Sequence, residues 1–154
     1  MSEVNYAKTL DDLVSIPELA QMSGFEFIDG IRSGKFPAPP IAKTLNYRMT
    51  EVEEGRVVFE GAPEFAAYNP LGAAHGGWFG TLLDSCMACA VQTTLPKGKG
   101  YTTIEYKITI LRPAFEDTPP LKAIGKMVSS GRRVATATGE MVDPEGKVYA
   151  TGST

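Results

Sequence analysis

Apolar and polar residues alternate along two stretches in the first half of the chain, and this period of two is typical of β-strands. Apolar residues stand at every second position in both stretches: Leu45, Tyr47 and Met49, then Val57 and Phe59. Residues 53–56, Glu-Glu-Gly-Arg, separate them and carry the signal of a hairpin turn. We therefore expect two short strands that form a hairpin.

A different pattern predicts one long helix over residues 77–94. Its apolar side chains cover most of the helix circumference: Trp78, Phe79, Leu82, Leu83, Cys86, Met87, Ala88, Cys89, Ala90 and Val91. A helix that is apolar nearly all round is buried rather than lying on a surface. Residues 96–100, Pro-Lys-Gly-Lys-Gly, end the helix.

The period of two returns after the helix and predicts four more strands. In the first, four apolar residues alternate with four polar ones: Ile104, Tyr106, Ile108 and Ile110 with Thr103, Glu105, Lys107 and Thr109. This strand is expected to stop at Arg112 and Pro113. The other three cover residues 121–129, 133–142 and 147–153. Small residues such as Ala137, Gly139 and Gly152 dominate one face of the last two strands, which indicates close packing against a bulky element. This order of elements favours an α+β fold in which an antiparallel sheet packs on one buried helix.

Residues 9–33 read as short helices that share an apolar stripe. Residues 36–40, Phe-Pro-Ala-Pro-Pro, predict a stiff, extended connector that is too short to link two domains. With 154 residues the chain is long enough for one domain with a sizeable core.

Composition and charge exclude several classes of protein. Apolar residues make up 43% of the chain and charged residues 21%, as in soluble globular proteins. The net charge is −3 and there is no long basic run, so we expect no nucleic-acid partner. No stretch approaches the ~18 apolar residues of a membrane span, so we expect no membrane partner. The first residues lack the basic and apolar regions of a signal peptide, and we therefore expect a cytoplasmic protein.

Asp84 is the single formal charge between Glu64 and Lys97, and it lies on the predicted apolar helix. Burial of a carboxylate costs free energy unless the group is paired, hydrogen-bonded or protonated. The chain's one histidine, His75, lies nine residues before it, next to Gly76 and Gly77. This arrangement points to acid–base or nucleophilic chemistry. The alternative is a buried carboxylate that only holds a loop.

Gly76 and Gly77 open the predicted helix. Their backbone N–H groups can approach a ligand closely and lie at the positive end of the helix. This suits a thioester or ester carbonyl whose oxygen gains charge during attack; the alternative is a turn needed only for chain direction. Asp84 lies eight residues further on, roughly 12 Å along the helix axis. One carbonyl cannot reach both groups of one helix, so a shared reaction predicts an obligate two-fold dimer with two shared sites.

The remaining candidate groups each leave two interpretations open. His75 belongs to no recognisable Ser-His-Asp triad, and it either positions a loop or transfers a proton. Arg112, Arg132 and Arg133 lie at strand ends, where they either hold the phosphates of a nucleotide-tailed substrate or are ordinary solvated side chains. Cys86 and Cys89 are interpreted as small buried thiols, because a zinc site needs about four ligands and the chain has neither more histidines nor a second cysteine pair.

Four sequence motifs together resemble one enzyme family. The first is Asn-Pro-Leu-Gly-x-x-His-Gly-Gly at residues 69–77, with six residues between its last glycine and Asp84. The others are the run of residues 100–113, Gly131-Arg-Arg, and Asp-Pro-Glu-Gly at residues 143–146. As a set they resemble the hotdog-fold acyl-CoA thioesterases of the PaaI-like, or phenylacetic acid degradation, type. The resemblance covers residues 45–154 as the thioesterase domain, and it leaves residues 1–44 as a helical extension of the same domain.

The resemblance implies a sheet wrapped around the long helix, homodimers with continuous sheets and often homotetramers built as dimers of dimers. It also implies hydrolysis of an acyl-CoA thioester without a metal or other cofactor. By position, Asp84 resembles the nucleophile or general base, and Gly76 N–H resembles the oxyanion donor. Asn69 and His75 resemble residues that position the loop and the carbonyl. Thr103 falls where a hydroxyl orients water.

For the substrate tail, the resemblance assigns contacts with CoA to the stretch Gly131, Arg132 and Arg133, and Arg112 joins them as a candidate. The first alternative function is a hotdog acyl-CoA hydratase or dehydratase. The second is a non-catalytic acyl-CoA-binding protein, against which the presence of Asp84 argues. The acyl group is left open, because Phe25, Phe27, Trp78 and Phe79 fit either an acyl pocket or the core.

Overall fold

A single antiparallel sheet of six strands forms the framework of the computed structural model, which describes residues 4–154. The strands are β1 (Tyr47–Glu53), β2 (Arg56–Gly61), β3 (Lys107–Ile110), β4 (Leu121–Ser130), β5 (Ala135–Val142) and β6 (Val148–Ser153). Their order across the sheet is β1-β2-β4-β5-β6-β3, so β1 and β3 form its two edges. Gly55, with a φ of +77°, lies in the predicted turn between β1 and β2.

Four α-helices accompany the sheet, and the longest is buried against it. They are α1 (Ile16–Leu19), α2 (Gly24–Arg32), α3 (Pro40–Thr44) and α4 (Gly76–Gln92). Helix α4 packs on β2, β4 and β5, and its buried side chains form most of the core. The predicted all-round burial of this helix is confirmed, and with it the α+β class and the hotdog arrangement of a sheet wrapped around one helix.

A row of three glycines lets α4 approach the sheet closely. Gly125 of β4 pairs with Gly139 of β5, which pairs in turn with Gly152 of β6. A Cβ at Gly125 would lie 2.1 Å from the Cys86 carbonyl oxygen, and a Cβ at Gly139 would lie 2.9 Å from the Met87 side chain. The small-residue face predicted from the sequence is therefore the contact surface for the helix.

Two predicted elements differ from the structure. The strand expected from residue 103 is formed over Lys107–Ile110 alone, because β3 is an edge strand whose single partner in the described chain is β6. The connector expected over residues 36–40 ends in helix α3, since Pro40 occupies the first helical position, where its missing N–H costs no hydrogen bond.

Helix α2 packs against the end of α4 and is hydrogen-bonded to the residues that follow it. Ser23 and Glu26 form a capping box that starts α2. The Gly24 N–H donates to the Leu95 carbonyl oxygen at 2.9 Å, and a Cβ at Gly24 would overlap the Gln92 carbonyl. Ile28 is 1% exposed and joins the main core. Over the described residues, no helix is long and apolar enough to cross a membrane.

Candidate active site

Asp84 lies in the middle of α4 and is partly exposed. The Thr103 hydroxyl donates a hydrogen bond to Asp84 Oδ1 at 2.9 Å. Two of the predicted site residues, 19 positions apart in the sequence, are thus in direct contact. Because the carboxylate has this polar partner and is reached by solvent, it needs no buried counter-charge.

A face of α4 with small residues brings Thr103 to Asp84. Gly76, Gly80 and Asp84 are spaced four residues apart and lie on one side of the helix. A Cβ at Gly80 would meet the Tyr106 hydroxyl at 3.3 Å, and a Cβ at Gly76 would meet the Ile110 side chain at the same distance. The chain from Thr103 to Ile110 therefore runs along this face, antiparallel to the helix.

The beginning of α4 presents one backbone donor without a partner. His75 is the N-cap residue, and its Nδ1 accepts a hydrogen bond from Gly77 N–H at 2.8 Å. Among the described residues, no hydrogen bond uses the Gly76 N–H. This N–H points out of the positive end of the helix, where it is suited to bind an oxygen that carries negative charge.

The loop before α4 is held by Asn69. Its Oδ1 accepts hydrogen bonds from the N–H groups of Leu71 at 2.9 Å and Ala73 at 3.3 Å. The His75 N–H donates to the Ala67 carbonyl oxygen at 2.8 Å, which holds the N-cap residue of α4 in place. The side chains of Asn69 and His75 both accept hydrogen bonds within the loop and the helix cap.

The three arginines considered for phosphate binding lie in two separate places. Arg112 donates from Nη1 to the carbonyl of Val148 and is near the beginning of α4, since the Ala114 carbonyl accepts from the Ala74 N–H at 2.9 Å. Arg132 and Arg133 are exposed and follow Gly131 in the turn between β4 and β5. This turn lies at the end of the sheet where α4 ends, so one chain does not bring all three together.

A cavity of about 510 Å³ opens beside Asp84 and Thr103. Its volume falls within the range of small-molecule sites. Phe27 lines this cavity, whereas Phe25 is not among its lining residues. Trp78 and Phe79, the other candidates for an acyl pocket, are 2% and 1% exposed and belong to the core.

Several cavity residues escaped sequence reasoning. Tyr101, Met49 and Ile31 line the space next to Asp84, although they stand far apart in the sequence. Their apolar spacing predicts only a strand or helix face. Tyr47 also contributes, and its hydroxyl lies 3.2 Å from Ser85 Oγ. Burial is the main cause that raises the pKa of Tyr47, so this hydroxyl is neutral at physiological pH.

The two cysteines are unpaired thiols on the buried part of α4. Cys86 faces the core, and Cys89 lines the cavity. Burial raises the pKa of Cys86 far above its usual range and the pKa of Cys89 to about 12. Both are therefore protonated and weakly nucleophilic, in agreement with the interpretation as small packing residues.

The fold and the site define a class of enzyme. Residues 71–150 match the thioesterase superfamily, and the chain belongs to this family. It is a hotdog-fold thioesterase, an enzyme that hydrolyses thioesters. Solved structures place it with the PaaI-like members. A search of curated proteins finds no match.

Three solved structures illustrate the similarity. The phenylacetic acid degradation-related protein of Ralstonia eutropha is 29% identical with a TM-score of 0.73, covering 82% of this chain and 96% of that one. A mutant of the phenylacetic acid degradation protein PaaI from Thermus thermophilus is 27% identical with a TM-score of 0.67, covering 74% and 94%. Zebra fish thioesterase superfamily member 2 is 25% identical with a TM-score of 0.63, covering 70% and 78%.

Proposed function

We propose that this enzyme hydrolyses the thioester of an acyl-CoA or aryl-acyl-CoA to the free acid and CoA. Asp84 acts as nucleophile or general base, and the Gly76 N–H of the partner subunit binds the developing oxyanion. The observation that carries this proposal is the arrangement on α4, where a Thr103-bonded carboxylate and an unpartnered N–H lie on one face. No cofactor is required for either route.

The contacts of Thr103 assign it a part in handling water. A threonine hydroxyl has one hydrogen and two lone pairs. Since its hydrogen is donated to Asp84, its oxygen is left to accept a hydrogen bond from a water molecule. In the general-base route, that water loses a proton to Asp84 and attacks the carbonyl carbon. The C–S bond then breaks, and Asp84 returns the proton to the leaving CoA sulfur. In the nucleophilic route, Asp84 attacks the carbonyl carbon, the C–S bond breaks and the CoA thiolate leaves. Water then hydrolyses the resulting anhydride to the free acid and regenerates the Asp84 carboxylate, and the proton released is taken up by the thiolate.

Two features support a two-fold dimer as the active unit. The Gly76 N–H and Asp84 are roughly 12 Å apart along one helix, too far for one carbonyl to touch both. The edge strand β3 and the segment just before it also expose large apolar side chains, since Ile110 of β3 is 42% exposed and the preceding Ile104 and Tyr106 are 76% and 48% exposed. An apolar, unpaired strand edge favours pairing with another strand. Pairing two β3 strands would continue the sheet and bring two copies of α4 side by side, as the resemblance implies.

Release of CoA thiol distinguishes the proposed hydrolase from its alternatives. We expect the purified protein to release free thiol from at least one member of a panel of acyl- and aryl-acyl-CoA thioesters, measured with a thiol-reactive dye. A hydratase would change absorbance of an enoyl-CoA without releasing thiol. A binding protein would retain acyl-CoA on a gel-filtration column unchanged. Either of these results, with no thiol released from any substrate, contradicts the proposal.

The exposed pair Arg132 and Arg133 provides a test of CoA-tail binding. If they contact CoA phosphates, replacing both with Ala should raise KM several-fold with little change in kcat, because remote contacts act as uniform binding. Added salt should weaken binding to the wild type more than to the variant. Lys126→Ala, which removes an exposed positive charge elsewhere on β4, is the matched control. A short thioester without the nucleotide should be hydrolysed equally well by all three proteins. If the double variant loses as much activity on this short substrate as on acyl-CoA, the arginines support the fold and do not bind the CoA tail.

A further inference from the structure

The described part of the extension before β1, residues 4–44, forms one wall of the cavity beside Asp84. We propose that Phe27 and Ile31 of this extension set the size of the acyl group, and that the cavity takes an uncharged, apolar acyl chain. This inference rests on the proposed thioesterase function and adds the part of the substrate that the enzyme selects.

The extension and the core face each other across the cavity. On one side are Phe27 and Ile31 of α2. On the other are Ala88 and Cys89 of α4, one turn beyond Asp84. Since Asp84 must lie at the thioester carbonyl, an acyl chain that continues along α4 runs directly between these two walls. The side chains of α2 therefore limit how far the chain can extend.

Helix α2, which carries Phe27 and Ile31, is held in place by contacts with the end of α4. The start of α2 is hydrogen-bonded to Leu95 and packs against Gln92 without room for a Cβ at Gly24. The rings of Phe27 and Phe36 lie 6.0 Å apart between centroids. A close-packed wall resists displacement by a longer chain, so it should act as a limit on length.

Four of the polar side chains that line the cavity are paired with other side chains. Tyr47 and Ser85 lie within hydrogen-bond distance of each other. The two arginines that line the cavity form ion pairs, Arg32 with Asp29 at 2.7 Å and Arg48 with Glu60 at 3.3 Å. A carboxylate at the far end of an acyl group would have to compete with these acids. Most of the remaining lining is apolar, and its polar side chains other than Asp84 are the uncharged Gln92, Tyr101, Thr102 and Thr103, which favours an uncharged hydrocarbon chain.

Variants of the wall should shift the preferred chain length in opposite directions. Phe27→Ala enlarges the cavity, and room for two more methylenes should raise the ratio of kcat/KM for dodecanoyl-CoA to that for hexanoyl-CoA by about 16-fold, since each buried methylene is worth roughly a fourfold gain. Ile31→Trp narrows the cavity and should lower the same ratio. Phe25→Ala, on the same helix but outside the cavity, is the matched control and should leave it unchanged.

The ratio of two substrates on one preparation is independent of how much protein is correctly folded, so a loss of stability in Phe27→Ala does not obscure the result. Equal ratios in wild type, Phe27→Ala and Ile31→Trp, with thiol release retained, would overturn the inference and leave the thioesterase function standing. Faster turnover of glutaryl-CoA than of hexanoyl-CoA by the wild type would overturn the apolar class. Absence of thiol release from every substrate would instead refute the proposed function itself.

Discussion

Replacing Asp84 with Asn is expected to leave the fold intact and to lower kcat for acyl-CoA hydrolysis by about 10²–10⁴-fold. Asn has nearly the same shape, and its Oδ1 can still accept the hydrogen bond from the Thr103 hydroxyl. What it loses is the negative charge, and with it the ability to attack a carbonyl or to take a proton from water. Steady-state thiol release by the purified variant measures the effect.

The design needs a control for the loss of one surface charge. Asp11→Asn, before α1 and outside the cavity, removes an exposed carboxylate. This variant should retain wild-type kcat. Thermal unfolding followed by circular dichroism should show similar midpoints for both variants and the wild type, because Asp84 is partly exposed and its replacement leaves no buried charge unpaired. Near-normal turnover by folded Asp84→Asn would remove Asp84 from the catalytic assignment.

Most of the fold is predictable from local pattern. The all-round apolar helix and the period-two strands could be read from the sequence because burial of α4 and alternation in the sheet each leave a regular trace. The close contact of Gly139 and Gly152 with α4 follows the small-residue face that the sequence predicts for the last two strands, whereas Gly125 lies outside that prediction. The extent of β3 is not predictable in this way, since an edge strand pairs on one side only and the length of that pairing with β6 is set by tertiary packing, which leaves no periodic trace in the sequence. Helix α3 was missed because Pro40 reads equally as a connector or as a first helical residue.

The candidate site was only partly accessible from the sequence. Asp84 stands out because it is an isolated charge on an apolar helix, and Gly76 because it opens that helix. Which aromatic side chain meets the cavity cannot be read this way, since Phe25 and Phe27 belong to the same helix and differ only in the direction in which they point. That choice follows from the docking of α2 on α4, which is a matter of tertiary packing.

Mixing two inactive variants tests whether the site is shared between subunits. Gly76→Pro should abolish most activity, because proline removes the N–H proposed to bind the oxyanion. Loss of one such donor costs about 10²–10³-fold. Proline is well tolerated at the first position of a helix. The preceding residue, His75, already has the extended conformation that proline requires, with φ −64° and ψ 144°. Gly76→Ala keeps the N–H and is the matched control.

When Gly76→Pro and Asp84→Asn proteins are unfolded together and refolded in equal amounts, random pairing makes about half of all dimers heterodimers. Each heterodimer has one site that carries both changes and one that carries neither. About a quarter of all sites should then be intact, and thiol release should recover to about a quarter of the wild-type rate. Two tags of different length allow the heterodimer to be isolated and its activity measured alone. If isolated heterodimers remain as inactive as the parent variants, each site is built within one chain, and Gly76 and Asp84 do not act on the same carbonyl.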